Sequence, residues 1–155
     1  MTITIYTDGG CWPNPGAGGW GAVVTMADGE VIELTGGENP SSNNRMELLG
    51  PIMALEHIGD PSAIILYSDS KYVIEGITVW IDNWKKKGWQ TKSKQPVKNR
   101  ELWERLDAAR NRHRVTFKWV RGHSGNAGNE RADALSQKGA IEASGHLIDF
   151  GKYKY

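Results

Sequence analysis

Ala63-Ile64-Ile65-Leu66-Tyr67-Ser68-Asp69 is the stretch that decides the fold. It is a near-continuous apolar run closed by an acid. Such a run suits a strand covered on both faces, as in the parallel part of a sheet flanked by helices. Upstream, residues 2–8 alternate and are β-branched, which predicts a strand ending at Asp8. Residues 9–19 are rich in Gly and Pro and read as a turn. Residues 20–27 and 30–35 read as two strands joined at Asp28-Gly29, a favoured hairpin pair. The first three strands then form an antiparallel meander.

Downstream and between, the apolar period changes to that of helices. Asn44-Arg45-Met46-Glu47 has capping-box spacing, and a helix follows to about His57. Gly50-Pro51 lies inside it, and an interior proline costs about 3 kcal/mol, so a kink is expected just after the first turn. Ile77, Trp80, Ile81 and Trp84 follow helical spacing, as do Leu102, Leu106 and Ala109. Val115, Phe117 and Trp119 alternate as a fifth strand. A last helix is predicted over 126–138, stopped by Gly139. Residues 142–155 show no pattern and are expected to form a mobile tail after a domain spanning 1–141. The order βββ-α-β-α-α-α-β-α predicts an α/β fold, a mixed five-stranded sheet with its first three strands antiparallel and helices around it.

A chain of 155 residues forms one domain with one core. Its single cysteine, Cys11, allows no intrachain disulfide and fits a reducing compartment. The N-terminal residues lack a basic segment followed by an apolar one, and no run approaches the ~18 apolar residues of a membrane span. The expectation is a cytoplasmic protein with no membrane contact, monomeric by default and without an obligate protein partner. The net charge of +1 hides an asymmetry. Between Trp80 and Trp103 seven cations (Lys85, Lys86, Lys87, Lys92, Lys94, Lys98, Arg100) face two anions, leaving an acidic remainder. A local polyanion-binding element on an acidic body follows from this.

Several chemistries are excluded early. Gly16-Ala17-Gly18-Gly19-Trp20-Gly21 matches a dinucleotide-binding pattern, but it opens into a strand and not a helix. No P-loop, H-E-x-x-H or G-x-S-x-G is present, and one cysteine cannot build a Cys-rich zinc site. What remains is a set of carboxylates at element ends: Asp8 and Asp69 at the close of strands, Glu47 opening the first helix, Asp133 early in the last. Strand ends and helix starts are where α/β proteins place ligands. Converging carboxylates repel unless a cation joins them, and oxygen-only ligands favour Mg²⁺ or Mn²⁺. Two such ions about 3.5–4 Å apart can activate water and stabilise a leaving phosphodiester oxygen. His123, in Gly122-His123-Ser124-Gly125, can move a proton near neutral pH. Each residue also admits a plain reading. Asp8 before Gly9 suits a turn, and Glu47 completes the capping box. Asp69 and Asp133 favour helix dipoles, and His123 can be an ordinary loop residue.

Six blocks, in order, carry a resemblance: Thr7-Asp8-Gly9; Asn14-Pro15-Gly16; Asn43-Asn44-Arg45-Met46-Glu47-Leu48; Ser68-Asp69-Ser70; Trp119-Val120-Arg121-Gly122-His123; and Asn129-Glu130-Arg131-Ala132-Asp133. To about residue 140 the chain resembles bacterial type 1 ribonucleases H. The resemblance implies Asp8, Glu47, Asp69 and Asp133 as metal-binding catalytic carboxylates and His123 as a mobile catalytic histidine. It implies hydrolysis of the RNA strand of RNA/DNA hybrids to 5′-phosphate and 3′-hydroxyl ends, with Mg²⁺ as cofactor and Mn²⁺ as substitute. Trp80, Trp84, Lys85, Lys86, Lys87 and Trp89 are similar to the family's basic protrusion, which grips the DNA strand. Gly10, Cys11, Asn14, Asn43 and Asn44 are the corresponding candidates for 2′-hydroxyl contact, and Ser42 for a DNA phosphate. These too have plain readings: the tryptophans as helix packing, Asn14 as a turn residue, Asn43 and Asn44 as caps.

Departures from the pattern are Gly50-Pro51, Gly10 in place of a serine, and Lys71 in place of a glutamine, the last expected to be solvated. Two other classes stay open on sequence: a resolvase or integrase-like nuclease on the same fold, and a binding module that has lost the chemistry. All four acids and His123 argue against the second, since a binder gains nothing from negative charge beside a polyanion.

Overall fold

The computed structural model describes residues 2–153. Five strands, β1 (Thr2–Trp12), β2 (Gly16–Thr25), β3 (Val31–Ser41), β4 (Ala63–Ser68) and β5 (Arg114–Trp119), form one sheet in the order β3-β2-β1-β4-β5. The β1–β2 and β2–β3 pairs are antiparallel, and β1–β4 and β4–β5 are parallel. The helices are α1 (Asn43–His57), α2 (Lys71–Glu75), α3 (Ile81–Lys86), α4 (Arg100–Asn111) and α5 (Ala127–Ser144), with a π-turn over Gly76–Trp80 joining α2 to α3. The expected architecture is present.

β3 runs on to Ser41 where the sequence reading ended it at Thr35, and three further differences bear on the site. First, β1 does not end at Asp8 but runs to Trp12, so the Gly-rich stretch is mostly strand. Glycine there serves packing. A side chain on Gly19 would overlap the Ser136 carbonyl oxygen, so its absence lets α5 lie against β2. Second, α1 is capped by Ser42, whose hydroxyl accepts from the Arg45 N–H at 3.3 Å, and not by Asn44. Third, α5 continues past Gly139 to Ser144, where Gly145 adopts φ 77° and donates its N–H to the Ile141 carbonyl at 3.0 Å. That is the left-handed helix stop foreseen at Gly139, six residues later.

The proline does not end the helix: α1 continues through Pro51 to His57. Pro51 still lacks an N–H for the Glu47 carbonyl. The apolar face decides the outcome. Leu48, Ile52 and Leu55 are fully buried, and each such side chain contributes about 1.5–3 kcal/mol, more together than the proline costs.

α1 and α5 cover opposite faces of the sheet. Gly9 and Gly18 meet α1, whereas Gly19 and Gly21 meet α5. Strand alternation assigns the odd residues Ile3, Ile5, Thr7 and Gly9 to the α1 face, and Asp8, Gly10 and Trp12 to the α5 face. The largest buried ring is Trp103 of α4, packed with Leu66, Ile77, Ile81 and Leu106 in the same core. No helix among the described residues is long and apolar enough to cross a membrane. Residues 142–144 belong to α5, and the chain then turns so that Phe150 packs edge-on against Trp12, with ring centroids 4.8 Å apart. Within the segment expected to be a mobile tail, Phe150 is thus docked on the end of β1, and residues 154 and 155 lie outside the described residues.

Candidate active site

The parallel register builds the centre. The last β1–β4 pair is Thr7↔Ser68, so Asp8 and Asp69 each stand one residue beyond it, side by side where the parallel pairing of these two central strands ends. β1 continues past that point with β2 as its partner. Glu47 comes from the first turns of α1, which lies directly on Gly9. Any Cβ at Gly9 would overlap the Met46 carbonyl. The Gly9 N–H donates to Asp8 Oδ1 at 2.8 Å and to Glu47 Oε1 at 3.2 Å, tying the two acids to one backbone group.

Ligand oxygens of Asp8, Glu47 and Asp69 all lie within 4.8 Å of one another. Glu47 Oε2 is enclosed and has no hydrogen-bond partner. Burial, then the neighbouring Glu47 and Asp69 charges, hold the Asp8 carboxyl well above the usual carboxylate range. Burial and then the Asp69 charge push Glu47 up to about 8. Asp133, in the second turn of α5, lines the same cleft; burial raises it, and its contacts with Asp8 and His123 oppose the rise. An orphaned buried carboxylate oxygen within an all-oxygen donor set fits a hard divalent cation.

Asp69 is held by groups that the sequence reading left out of the site. Asn129, almost fully buried, donates from Nδ2 to Asp69 Oδ2 at 3.2 Å and accepts the His123 N–H on Oδ1 at 3.3 Å. One amide therefore ties the acid to the histidine loop. Its sequence signal was its place one turn before Asp133. Trp119 Nε1 donates to the Asp69 carbonyl at 3.0 Å, and Lys71 stands 5.1 Å over the Trp119 ring. Lys71 is therefore not simply solvated, as its exposure alone suggests. Gly122 closes the far side: a Cβ there would lie 2.7 Å from Asp69 Oδ2. His123 itself is exposed and adopts φ 54°, the left-handed region.

Gly10, Cys11, Asn14 and Asn43 line the cleft with the acids, enclosing about 540 Å³. The Asn14 side-chain oxygen accepts from the Asn43 N–H at 3.1 Å, joining the β1–β2 turn to the start of α1. Neither Asn43 nor Asn44 caps the helix. Asn44 and Ser42 stand outside the cleft lining.

The basic segment forms a separate surface. Trp103 is fully buried, and its ring lies 5.2 Å from both Tyr72 and Trp84. Trp80 and Trp84 are half-buried and, with Lys87, border a groove of about 240 Å³. The packing reading of the tryptophans is seen in these ring contacts, and Trp80 and Trp84 keep part of their surface exposed. Lys86 and Lys87 are exposed, whereas Lys85 is paired with Asp107 Oδ2 at 2.5 Å.

A family model described as RNase H matches residues 1–141. The chain belongs to the ribonuclease H family. It is an enzyme of that family by the company it keeps. It is 58% identical over 140 residues to a ribonuclease H of Alcanivorax borkumensis, covering 90% of this chain and 92% of the relative. It is 52% identical over 145 residues to a ribonuclease H of Pseudomonas fluorescens, covering 94% of both. Among solved structures, LC9-RNase H1, a type 1 RNase H with the type 2 active-site motif, aligns with a TM-score of 0.82 at 34% identity. That alignment covers 96% of this chain and 77% of LC9-RNase H1. The family model's match ends at residue 141.

Proposed function

We propose that this ribonuclease H family enzyme cuts the RNA strand of RNA/DNA hybrids endonucleolytically, leaving 5′-phosphate and 3′-hydroxyl ends. The observation that carries the reading is the Asp8–Glu47–Asp69 triad, its oxygens within 4.8 Å, in an open cleft beside Asp133. Asp8, Glu47, Asp69 and Asp133 would hold Mg²⁺, with Mn²⁺ as a substitute and two ions when substrate is bound. Bound there, such ions supply a water of lowered pKa and neutralise charge developing on the phosphodiester.

The protein's own groups do the rest. The Gly9 N–H fixes the orientation of Asp8 and Glu47, and Asn129 fixes Asp69. His123, exposed at the cleft rim, moves the proton of the leaving 3′ oxygen. Asn14, Asn43 and the Gly10-Cys11 backbone meet the RNA strand, where 2′-hydroxyls distinguish it from DNA. Lys86 and Lys87, with the exposed edges of Trp80 and Trp84, take the DNA strand. The buried free thiol of Cys11 suits a monomer working in the reducing cytoplasm.

The test is cleavage of one end-labelled sequence prepared as RNA/DNA hybrid, duplex RNA and duplex DNA, each with Mg²⁺ and with chelator. Cutting is expected only on the hybrid, only in its RNA strand and only with metal. Cutting of duplex DNA would move the enzyme to the resolvase-like nucleases. Hybrid binding without cutting would make it a binding module.

A further inference from the structure

The segment beyond α5 lies outside the stretch that the RNase H model matches, yet it reaches the cleft. Phe150 meets Trp12 edge-on, with ring planes 88° apart, and the Trp12 side chain is left only 5% exposed. Trp12 has its seat because residue 10 is glycine. A Cβ at Gly10 would stand 2.7 Å from Cη2 and Cζ2 of the Trp12 ring. The serine expected at that position would displace the ring, and with it the surface on which Phe150 rests. A departure from the family pattern at residue 10 thus coincides with a docked tail. The docking has a consequence three residues later: Tyr153 lines the same cleft as Gly10, Asn14, Asn43 and the acids. Lys152 and Tyr153 also border a second hollow of about 340 Å³, between the tail and the β1–β2 turn.

The geometry points to Tyr153 as a substrate-contact residue, its ring packing on a nucleotide of the RNA strand, with Phe150 on Trp12 as the clamp that positions it. This rests on the hybrid-cutting reading of the cleft. A paired hybrid keeps its bases stacked, so the ring packs on the ribose that the wide, shallow minor groove displays. Lys152, the neighbouring cation, suits the adjoining phosphate. The contact is made to bound substrate and is remote from bond breaking, so its loss shows in KM more than in kcat.

The experiment compares the full-length enzyme with Tyr153→Ala, Tyr153→Phe, Phe150→Ala and a chain ending at residue 147, on a short RNA/DNA hybrid with Mg²⁺. Tyr153→Ala is expected to raise KM about five- to tenfold, Tyr153→Phe to restore it, and Phe150→Ala and the shortened chain to match Tyr153→Ala. Unchanged KM in Tyr153→Ala would overturn the assignment. So would a fall in KM on shortening, which would make the tail a plug over the cleft. If the shortened chain melts early, Tyr153→Ala alone decides, since it removes one half-buried ring and keeps Phe150 on Trp12. A full-length enzyme that cuts the hybrid, with every variant keeping its KM, ends the tail assignment only. A full-length enzyme that does not cut the hybrid ends the reading of the cleft as well.

Discussion

Asp69 is the residue on which most of the centre converges. It takes one hydrogen bond from Asn129, its backbone takes another from Trp119, and Gly122 leaves it room. Asp69→Asn keeps that volume and removes a ligand charge. Cleavage of the hybrid is expected to fall below detection while the Kd for the hybrid changes less than threefold; near wild-type turnover would remove Asp69 from the metal site. Gly122→Ala tests the geometry without replacing any of the four acids. Its Cβ would press on Asp69 Oδ2 from 2.7 Å, and a displacement of about 1 Å at a reacting centre costs on the order of 10²-fold in rate. A rate loss of at least tenfold with an unchanged melting temperature is expected. Full activity would show that the loop yields instead of the carboxylate.

At the scale of elements, α3 and the turn after it separate two kinds of lysine that the sequence lists as one run. Lys85 is committed to Asp107, which also takes Arg110 at 2.9 Å, while Lys86 faces water. Lys86→Ala is expected to lower the slope of log K against log salt for hybrid binding by about one, and Lys85→Ala to change it by less than half of that. Equal effects would mean that the Lys85–Asp107 pair opens when substrate binds. The π-turn over Gly76–Trp80 shows the same division of labour between local and tertiary causes. Helical spacing predicted helix through this region. The local widening accompanies a site where a side chain on Gly76 would collide with the Trp103 ring, a contact 27 residues away in sequence.

For the molecule as a whole, the acid cluster sets the pH dependence of stability. Glu47 is held at about 8 in the fold against an ordinary 4.5, so the fold favours its protonated form. That contribution is complete below the ordinary value and is lost as pH rises through about 8. Asp8 and Asp133, also raised, act in the same direction. In chelator, the melting temperature is therefore expected to fall between pH 5 and pH 8.5, and Glu47→Gln to flatten the fall. Each kcal/mol relieved raises the midpoint by about 2–4 °C. Under the proposed function Mg²⁺ would bind the ionised cluster, and the stabilisation it adds is expected to grow over the same range. A pH-independent melting curve in chelator would contradict the raised carboxyls.

The element types and their order, and the acids Glu47, Asp69 and Asp133 near element ends, were legible in the sequence because they follow from local rules: period-2 and period-3.6 burial, Gly and Pro punctuation, and caps. What the sequence by itself determined is therefore the α/β order and the residues available to a cation site. Tertiary structure alone decided the rest. β1 outlasts Asp8 because β2 continues to pair with it, which no local signal encodes. α1 survives Pro51 because its buried leucines and isoleucine outweigh one lost hydrogen bond. Asn129 joins Asp69 to the His123 loop, and Phe150 finds Trp12, only through contacts 60 and 138 residues apart along the chain. Such contacts depend on register and on which backbone can approach which, and both are set when the sheet and its two covering helices pack together.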